Sequence, residues 1–356
     1  MDLIVSKVVN DGFFKASTTA VAADTFLIVV PTPFKGNHEP DISYVESATR
    51  AILPLLKKGD LYIIESTSPI GTTEKMQDLI FQSRPELKGE MYIAYCPERV
   101  LPGNVMYELV YNDRVIGGID EISTQKAISF YSKYVKGELH PTNARTAEMC
   151  KLVENSSRDV QIAFANELSL ICDKAGVNVW DLINLANKHP RVNILRPGPG
   201  VGGHCIAVDP LFIADSSPNN TNLIKAARNV NNSKPQFIME KLSKLINHQK
   251  RPIDELSISI FGLSYKADID DLRESPALDL ALEISDMEFM KCIVIEPNLL
   301  KIPDEFGSPI LFNEDLESAL SSDILIFLVA HKEFLHFKKL DLNYENIIDA
   351  CGLLES

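Results

Sequence analysis

The sequence predicts an α/β protein in which two regions built on parallel sheets flank a helical segment. Short apolar runs alternate with amphipathic stretches from residue 24 to about 140, and this alternation returns after residue 249. Between the two regions the apolar period becomes that of long helices. Buried strands that alternate with helices are typical of parallel sheets with short connections. We therefore divide the chain into domains at 1–143, 144–248 and 249–356.

The first region contains four apolar runs that predict buried strands, namely TFLIVV, LYIIE, MYIAY and RVIGG. Amphipathic stretches near 44–57, 71–82 and 122–135 predict the helices between them. Each of the first three strands runs into a motif-rich loop, and these loops read PTPFKG, STSPIG and CPERVLPG. Because ligands bind at the carboxyl ends of strands in open α/β sheets, the three loops predict a ligand-binding crevice.

The second region is predicted to be helical. The stretch 146–176 carries a helical apolar stripe, and Gly176 is placed to end that helix. Further helices are predicted at 178–188 and at about 221–247. Two long helices suit either a dimer interface or a bundle within one chain, and we favour the dimer.

The third region returns to the α/β pattern, with LSISIFG, CIVIEP, DILIFLVA and NIIDA as predicted strands. The loop SYKADIDDLRESPA offers Lys266 and Arg273 for phosphate binding, one as a point charge and the other as a planar guanidinium. The end of this loop has a second interpretation, in which Ser275 caps a helix that begins at Pro276.

Composition restricts the partners of this chain. Its 49 acidic and 35 basic residues give a formal charge of −14, which argues against nucleic acid or an anionic membrane as a partner. The longest apolar run, ILIFLVA, has the length of a buried strand, and the start MDLIVSK is no signal peptide. The six cysteines form no CxxC pair or zinc spacing, so we expect reduced thiols in a cytoplasmic protein without a metal.

The stretch GPGVGGHCIAVDP, residues 198–210, places four glycines just before Cys205. Glycine permits positive φ and close approach of the backbone to a ligand, so the stretch predicts a tight loop wrapped against another group. Cys205 is then either a small buried hydrophobe in a turn or a nucleophile presented to a substrate. A metal site made of His204, Cys205 and Asp209 has poor spacing, and we expect His204 to position the loop.

Polar residues elsewhere favour the nucleophile. Lys151, Asn155 and Arg158 are spaced to share one helix face. That face is either a solvated surface or a catalytic set that supplies an acid–base group and an oxyanion donor. A nearby cation such as Lys151, His204 or Arg191 would stabilise a thiolate.

A cofactor site at the strand ends is only partly visible. Thr67 and Glu98 follow strand ends, where they either shape turns and surface or hold a cofactor and activate water. A dinucleotide-binding half begins with a strand and a GxGxxG turn. No GxGxxG lies in the first 60 residues, where Gly12, Gly36 and Gly59 stand alone.

Seven motifs resemble, in order, signature stretches of the nucleotide-sugar 6-dehydrogenases. They are PTPFKG, ESTSPIG, CPERVLPG, TAEMCKLVEN, HPRVNI, GPGVGGHCIAVDP and FGLSYKADIDDLRESPA, and the resemblance begins at about residue 10. It implies two Rossmann-like domains, the first truncated at its N-terminus, joined by helices that form a homodimer. The family oxidises the C6 alcohol of a UDP-sugar to a carboxylate with two NAD and without releasing the aldehyde. The implied substrate is UDP-N-acetyl-D-mannosamine, with UDP-N-acetylglucosamine and UDP-glucose as alternatives, and the product suits bacterial surface polysaccharide.

The resemblance also implies roles for residues. Cys205 would be the nucleophile that holds the substrate carbon as a thiohemiacetal and then a thioester, with Lys151 as acid–base and oxyanion partner. The other implied catalytic residues are Asn155, Asp209, Thr67 and Glu98. The implied cofactor contacts are Thr32, Thr67 and Arg273. The implied substrate contacts are Arg99, Val100, Lys151, Asn155, Arg158, His189, Arg191, Gly202 and Lys266.

One implied unit is missing from this sequence. Members of the family carry about 60 further residues in front, with a first β-α-β unit whose glycine turn meets the pyrophosphate. We therefore expect NAD binding by this chain to be weak or absent. The alternative to an active enzyme is a non-catalytic protein that dimerises and binds a UDP-sugar through its last domain.

Overall fold

The computed structural model describes residues 2–35, 39–100, 104–203, 205–307, 310–340 and 342–355. They form two compact units. Unit 1 comprises Met1–Glu154 and Leu211–Pro218, and unit 2 comprises Asn155–Pro210 and Asn219–Ser356. In the part of the chain that the structure describes, no helix combines the length and apolar character needed to cross a membrane.

Unit 1 is built on a five-stranded sheet and a short hairpin. In chain order its strands are β1 (Thr25–Ile28), β2 (Phe34–Lys35), β3 (Glu39–Pro40), β4 (Leu61–Ile64), β5 (Tyr92–Tyr95), β6 (Arg114–Gly118) and β7 (Leu139–Asn143). The sheet order is β1-β4-β5-β6-β7, and β2 pairs with β3 alone. The four predicted strands are confirmed, whereas β7 has no apolar run to reveal it because it is only partly buried.

The helices of unit 1 are α1 (Asp2–Asn10), α2 (Ser43–Ile52), α3 (Thr72–Ser83), α4 (Val105–Tyr111) and α5 (Glu121–Tyr131). Three of them, α2, α3 and α5, confirm the amphipathic stretches. Two separate core clusters pack on the sheet, one with Val45, Met76 and Ile80 and the other with Ala127.

One strand of unit 1 runs against the predicted parallel direction. β6 is antiparallel to β5, with Tyr95 opposite Gly117, while the other three pairings of the sheet are parallel. The reason is that α4 has only seven residues and buries none of them, so it does not carry the chain back across the sheet. As a result Arg114, at the start of β6, extends past the carboxyl end of β5.

Four helices follow unit 1's last strand. They are α6 (Ala144–Ala175), α7 (Val179–Ala186), α8 (Asp209–Ser216) and α9 (Asn222–Gln249). Gly176 follows α6 with φ of 66°, which confirms its predicted role as the end of that helix. Within unit 2, α6 and α9 are joined by buried polar groups, because Asp159 accepts hydrogen bonds from Arg228 at 2.6 Å and Asn231 at 2.8 Å.

The second sheet is parallel throughout. Its strands are β8 (Ser257–Phe261), β9 (Lys291–Ile295), β10 (Leu311–Phe312), β11 (Ile324–Phe327) and β12 (Ile347–Asp349), with α10 (Pro276–Ser285) and α11 (Leu316–Leu320) between them. The order β10-β9-β8-β11-β12 is that of a doubly wound Rossmann-like sheet. Ser275 accepts a hydrogen bond from Leu278 N, which confirms the interpretation of Ser275 and Pro276 as a helix start.

Candidate active site

Two loops at the carboxyl edge of the unit 1 sheet are joined through Ser66. Its hydroxyl accepts a hydrogen bond from Val30 N at 2.7 Å and donates one to Val30 O at 2.8 Å. The loop after β1, which carries half-buried Thr32, is thereby held beside the loop after β4, which carries half-buried Thr67. The two threonines predicted as cofactor contacts therefore lie on adjoining loops.

Glu98 follows β5, and its own loop holds its carboxylate. Oε1 accepts hydrogen bonds from Arg99 N at 2.6 Å and Val100 N at 2.9 Å, and Oε2 accepts one from the Arg114 guanidinium at 3.3 Å. Arg99 pairs with Glu154 at 2.8 Å. The side chain of Glu98 is still 32% exposed, so the carboxylate is both fixed and accessible.

A buried cluster of titratable groups lies behind Glu98, and we call Glu65, Cys96, Arg114 and Tyr131 the unit 1 cluster. Tyr131 donates a hydrogen bond to Glu65 Oε1 at 2.5 Å, and the Arg114 guanidinium lies 5.0 Å from the centre of the Tyr131 ring. Burial raises the pKa of Glu65, and it raises the pKa of the Cys96 thiol to about 11. The sequence held two signals for this cluster, a carboxylate at the end of LYIIE and a cation at the start of RVIGG.

Glu148 fixes α6 to the loop after β4. Its buried carboxylate accepts hydrogen bonds from Gly71 N at 2.6 Å and from Thr73 N and Oγ1 at 2.8 and 2.6 Å. Burial raises the pKa of Glu148, and these hydrogen bonds oppose the rise. Lys151 stands one turn further along α6 and is half-buried, so Glu148 sets the register of Lys151 against the loop of Thr67.

Cys205 opens the turn that leads into α8. Its carbonyl oxygen accepts hydrogen bonds from Val208 N at 3.0 Å and Asp209 N at 2.8 Å. The Asp209 carboxylate, almost fully buried, accepts a short hydrogen bond from the side-chain amide of Asn155. Unit 2 therefore brings together Cys205, Asp209 and Asn155, three of the residues that the sequence singles out, while their catalytic roles stay predictions.

The glycines before Cys205 let the backbone approach the loop that follows β8. A Cβ atom on Gly202 would stand 2.3 Å from the carbonyl oxygen of Glu274, so no side chain fits there. Gly203 has φ of 80° and donates a hydrogen bond to Arg273 O at 3.1 Å. The ring of Tyr265 packs against Gly203 from the same loop. The predicted tight loop is therefore wrapped against the protein's own chain in unit 2.

Tyr265 and Arg273 lie close enough to Cys205 to interact with it electrostatically. Burial raises the pKa of Tyr265, and the negative charges of Asp271 and of the Cys205 thiolate add to the rise. The pKa of Arg273 is raised by its hydrogen bond to Asp271 and, to a smaller extent, by Cys205. A guanidinium beside a thiol stabilises the thiolate. The structure thus adds Arg273 to the cations that could activate Cys205.

Four predicted substrate contacts, Arg158, His189, Arg191 and Lys266, have exposed side chains in unit 2. His189 Nδ1 accepts a hydrogen bond from Arg191 N at 3.3 Å, which orders the short segment that holds both. Exposed guanidinium and ammonium groups can meet the phosphates of a nucleotide, and the roles of all four residues as substrate contacts stay predictions. His204 lies outside the described residues.

The carboxyl edge of the unit 2 sheet carries a closed network around Glu296. This fully buried carboxylate accepts hydrogen bonds from Leu263 N at 2.7 Å and Ser264 N at 3.1 Å, and His331 Nε2 lies 3.1 Å away. His331 Nδ1 accepts a hydrogen bond from Asp268 N at 2.9 Å, which assigns the ring proton to Nε2. These groups bind one another and the backbone, and they thereby shape the loop that carries Tyr265.

Comparison with known proteins gives one consistent family. Models of the UDP-glucose/GDP-mannose dehydrogenase family match three segments: its NAD binding domain matches residues 1–135, its central domain 145–233, and its UDP binding domain 259–356.

Individual relatives match almost the whole chain. A UDP-N-acetyl-D-mannosamine dehydrogenase from Escherichia coli (strain K12) is 49% identical over 362 residues, which cover 98% of this chain and 86% of the relative. An NDP-N-acetyl-D-galactosaminuronic acid dehydrogenase from Ralstonia nicotianae is 48% identical over 99% of this chain and 84% of the relative. The structure of a UDP-D-ManNAc dehydrogenase from Pyrococcus horikoshii aligns with a TM-score of 0.82 at 38% identity, covering 94% of this chain and 78% of that chain.

Proposed function

Because this chain belongs to the UDP-glucose/GDP-mannose dehydrogenase family, we propose that it oxidises the C6 alcohol of UDP-N-acetyl-D-mannosamine to a carboxylate. The family and its cofactor class make the protein an NAD-dependent oxidoreductase of nucleotide sugars. The choice of sugar is supported by the relatives from Escherichia coli and Pyrococcus horikoshii. The observation that carries the mechanism lies in unit 2, where Asn155 on α6 donates a hydrogen bond to Asp209, and Asp209 N donates one to the carbonyl oxygen of Cys205.

Cys205 explains how one site performs two oxidations. Its thiolate attacks the aldehyde carbon produced by the first oxidation and forms a thiohemiacetal, and the second oxidation converts this into a thioester. Attack by water then releases the carboxylate and restores the thiol, so each turnover consumes one water. Bound NAD would supply the hydride acceptor for each of the two oxidations. Lys151 exchanges the proton of the substrate oxygen, and Asn155 donates to the oxyanion.

Water must be activated to cleave the thioester. Asp209 holds its carboxylate against Asn155, and Glu98 presents a fixed but accessible carboxylate, so both are suited to accept a proton from water. Thr67 assists in positioning this water. The proposed substrate contacts are Arg99, Val100, Lys151, Asn155, Arg158, His189, Arg191, Gly202 and Lys266.

The residues proposed for the cofactor fit parts of a dinucleotide. The half-buried hydroxyls of Thr32 and Thr67 suit its uncharged polar groups, and the exposed guanidinium of Arg273 suits its pyrophosphate. The N-terminus of α3 does not offer a phosphate site, since the Glu148 carboxylate accepts the hydrogen bonds of Gly71 N and Thr73 N.

We assign these roles to domains at 1–143 for NAD, 144–248 for catalysis and association, and 249–356 for the UDP-sugar, which the three family models support.

The proposed assembly is a homodimer. Phe164 and Ile171, two turns apart on α6, are 52% and 57% exposed and form an apolar stripe that a second copy can cover. Sedimentation should give a dimer that Phe164→Glu dissociates and Gln125→Ala, at an exposed polar position of α5, does not.

Calorimetric titration with NAD and then with UDP-N-acetyl-D-mannosamine tests the proposal first. Binding of both ligands, together with NADH production, supports the enzyme. Binding of the UDP-sugar without NAD would instead support the non-catalytic alternative. UDP-N-acetylglucosamine, UDP-N-acetylgalactosamine and UDP-glucose are the matched alternative substrates, and a larger kcat/KM for any of them would overturn the assigned sugar.

Cys205→Ser tests the mechanism. The hydroxyl is too weak a nucleophile to form the thioester analogue efficiently, so carboxylate formation should fall by at least about 1,000-fold. Binding of the UDP-sugar should persist. Cys150→Ser is the matched control, because Cys150, like Cys205, is a half-buried cysteine. Equal activity of Cys205→Ser and Cys150→Ser would refute the role of Cys205.

A further inference from the structure

Unit 2 contains a cavity that none of the candidate site residues lines. It has a volume of about 300 Å³ and lies between α6, α7, α9 and the segment that includes β12 and the residues after it. Its apolar lining includes Trp180, Phe237 and Ile238. Val177 and Tyr344 also line it and are 48% and 59% exposed, so the cavity opens to solvent.

Lys234 on α9 contributes a buried amine to this cavity. The residue is only 4% exposed, and its Nζ donates a hydrogen bond to Ser169 Oγ at 2.7 Å. Nζ also lies 4.8 Å from the centre of the Phe237 ring. Lys234 forms no ion pair with any residue of the described ranges. A buried ammonium without a paired carboxylate is costly, so burial shifts the protonation equilibrium of Lys234 towards the neutral amine.

The charges around the cavity also influence how readily Lys234 loses its proton. Burial and the nearby Lys241 lower the pKa of Lys234 to about 8, and Asp173 opposes this. Asp173 is itself paired with Lys241 at 2.7 Å. Asp349 and Glu355 also line the cavity, so its three carboxylates disfavour an anionic ligand. A neutral molecule that can react with an amine fits this lining better than a carboxylate or a phosphate does.

We propose that Lys234 is a nucleophilic amine that binds small neutral aldehydes with apolar bodies in this cavity as imines. The Nζ lone pair attacks the carbonyl carbon to form a carbinolamine, and loss of its hydroxyl as water gives the imine. No oxidant or reductant is needed. Ser169 Oγ, which accepts from Nζ and donates to Asn166 O at 2.5 Å, is placed to relay the proton. A desolvated lysine beside another cation is the environment that makes an amine nucleophilic.

Reductive trapping tests this proposal on the full chain. The protein is incubated with benzaldehyde and cyanoborohydride at pH 7, and peptide mass spectrometry follows labelling at each lysine. Lys234 should be labelled about tenfold faster than Lys244, an exposed lysine on the same helix, since more of its amine is neutral. Labelling of Lys234 at the rate of Lys244 or slower would overturn the proposal.

Two variants distinguish the nucleophilicity of the Lys234 amine from its accessibility to the aldehyde. Lys241→Met removes the neighbouring cation and leaves Asp173 unpaired, so labelling of Lys234 at pH 7 should fall several-fold and recover at higher pH. Lys244→Met is the matched control and should change nothing. An unchanged rate of labelling at Lys234 in Lys241→Met would contradict the electrostatic argument.

Tryptophan fluorescence gives a second measurement, because the single tryptophan, Trp180, lines the cavity. Benzaldehyde should quench this fluorescence, and the slow phase of the quenching, which follows imine formation, should be absent in Lys234→Met.

Discussion

The carboxyl edges of the two sheets hold buried charge in opposite ways. In unit 1, Glu65 and Glu98 share Arg114, whose Nε has no hydrogen-bond partner among the residues the structure describes. In unit 2, burial alone would raise the pKa of Glu296, but His331 and the backbone N–H of Leu263 lower it below its usual range. Unit 1 therefore keeps a carboxylate available at the edge of its sheet, whereas unit 2 uses its carboxylate to shape a loop.

The largest expected effect comes from removing the shared cation of unit 1. Arg114→Met leaves Glu65 buried without its counter-charge, so we expect a loss of about 3–5 kcal/mol in the free energy of unfolding. Urea unfolding measures it. Arg145→Met is the matched control, because the pair of Arg145 with Glu74 is exposed and its loss should lower the free energy of unfolding far less. Similar losses in both variants would remove the contrast between the two edges.

Removing the charge of Glu296 from the closed network of unit 2 should lower the free energy of unfolding less than Arg114→Met does. Glu296→Gln keeps the size of the side chain but loses the charge that accepts from Leu263 N, Ser264 N and His331. We expect a loss of about 2–3 kcal/mol at pH 7. The loop of Tyr265 should loosen with it, so the KM for the UDP-sugar should rise more than kcat falls. A drop in kcat alone would place Glu296 in the chemistry instead.

The smallest effects should appear in the pH dependence of the free energy of unfolding and have opposite signs in the two units. The folded-state pKa of Glu148 is raised, so the native protein binds a proton first and gains stability as pH falls from 7 towards 4.5. The folded-state pKa of Glu296 is lowered, so its contribution is present above 4.5 and is lost as pH falls further.

Urea unfolding of two variants at pH 7 and pH 4 checks these signs. Relative to the unaltered protein, the deficit of Glu148→Gln should grow on acidification, because only the unaltered protein gains stability from the proton. The deficit of Glu296→Gln should shrink over the same range. Deficits that move in the same direction would contradict the proposed difference between the two units.

Much of the fold was predictable because strong apolar periodicity reveals buried strands and long helices. The direction of β6 was not, since a run such as RVIGG has the same apolar pattern in either direction. Only the short, unburied α4 explains the reversal. β7 escaped prediction because its partly exposed residues carry no apolar run.

The candidate site, like the fold, could be predicted from the sequence only in part. The spacing of Asn155 on its helix and the glycines before Cys205 predicted residues that the structure brings together. Arg114 was not predictable as a site residue, because a charged residue at the start of a strand is also typical of an exposed strand end. Only the antiparallel pairing shows that it reaches Glu98.

The double hydrogen bond of Ser66 to Val30 has a consequence for motion. Because one hydroxyl both donates to and accepts from a residue beyond the end of β1, neither loop can swing open without breaking both bonds. The loops of Thr32 and Thr67 should therefore move as one body. The amide proton of Val30, although it lies outside the strand, should exchange with solvent as slowly as a strand amide, and Ser66→Ala should release it.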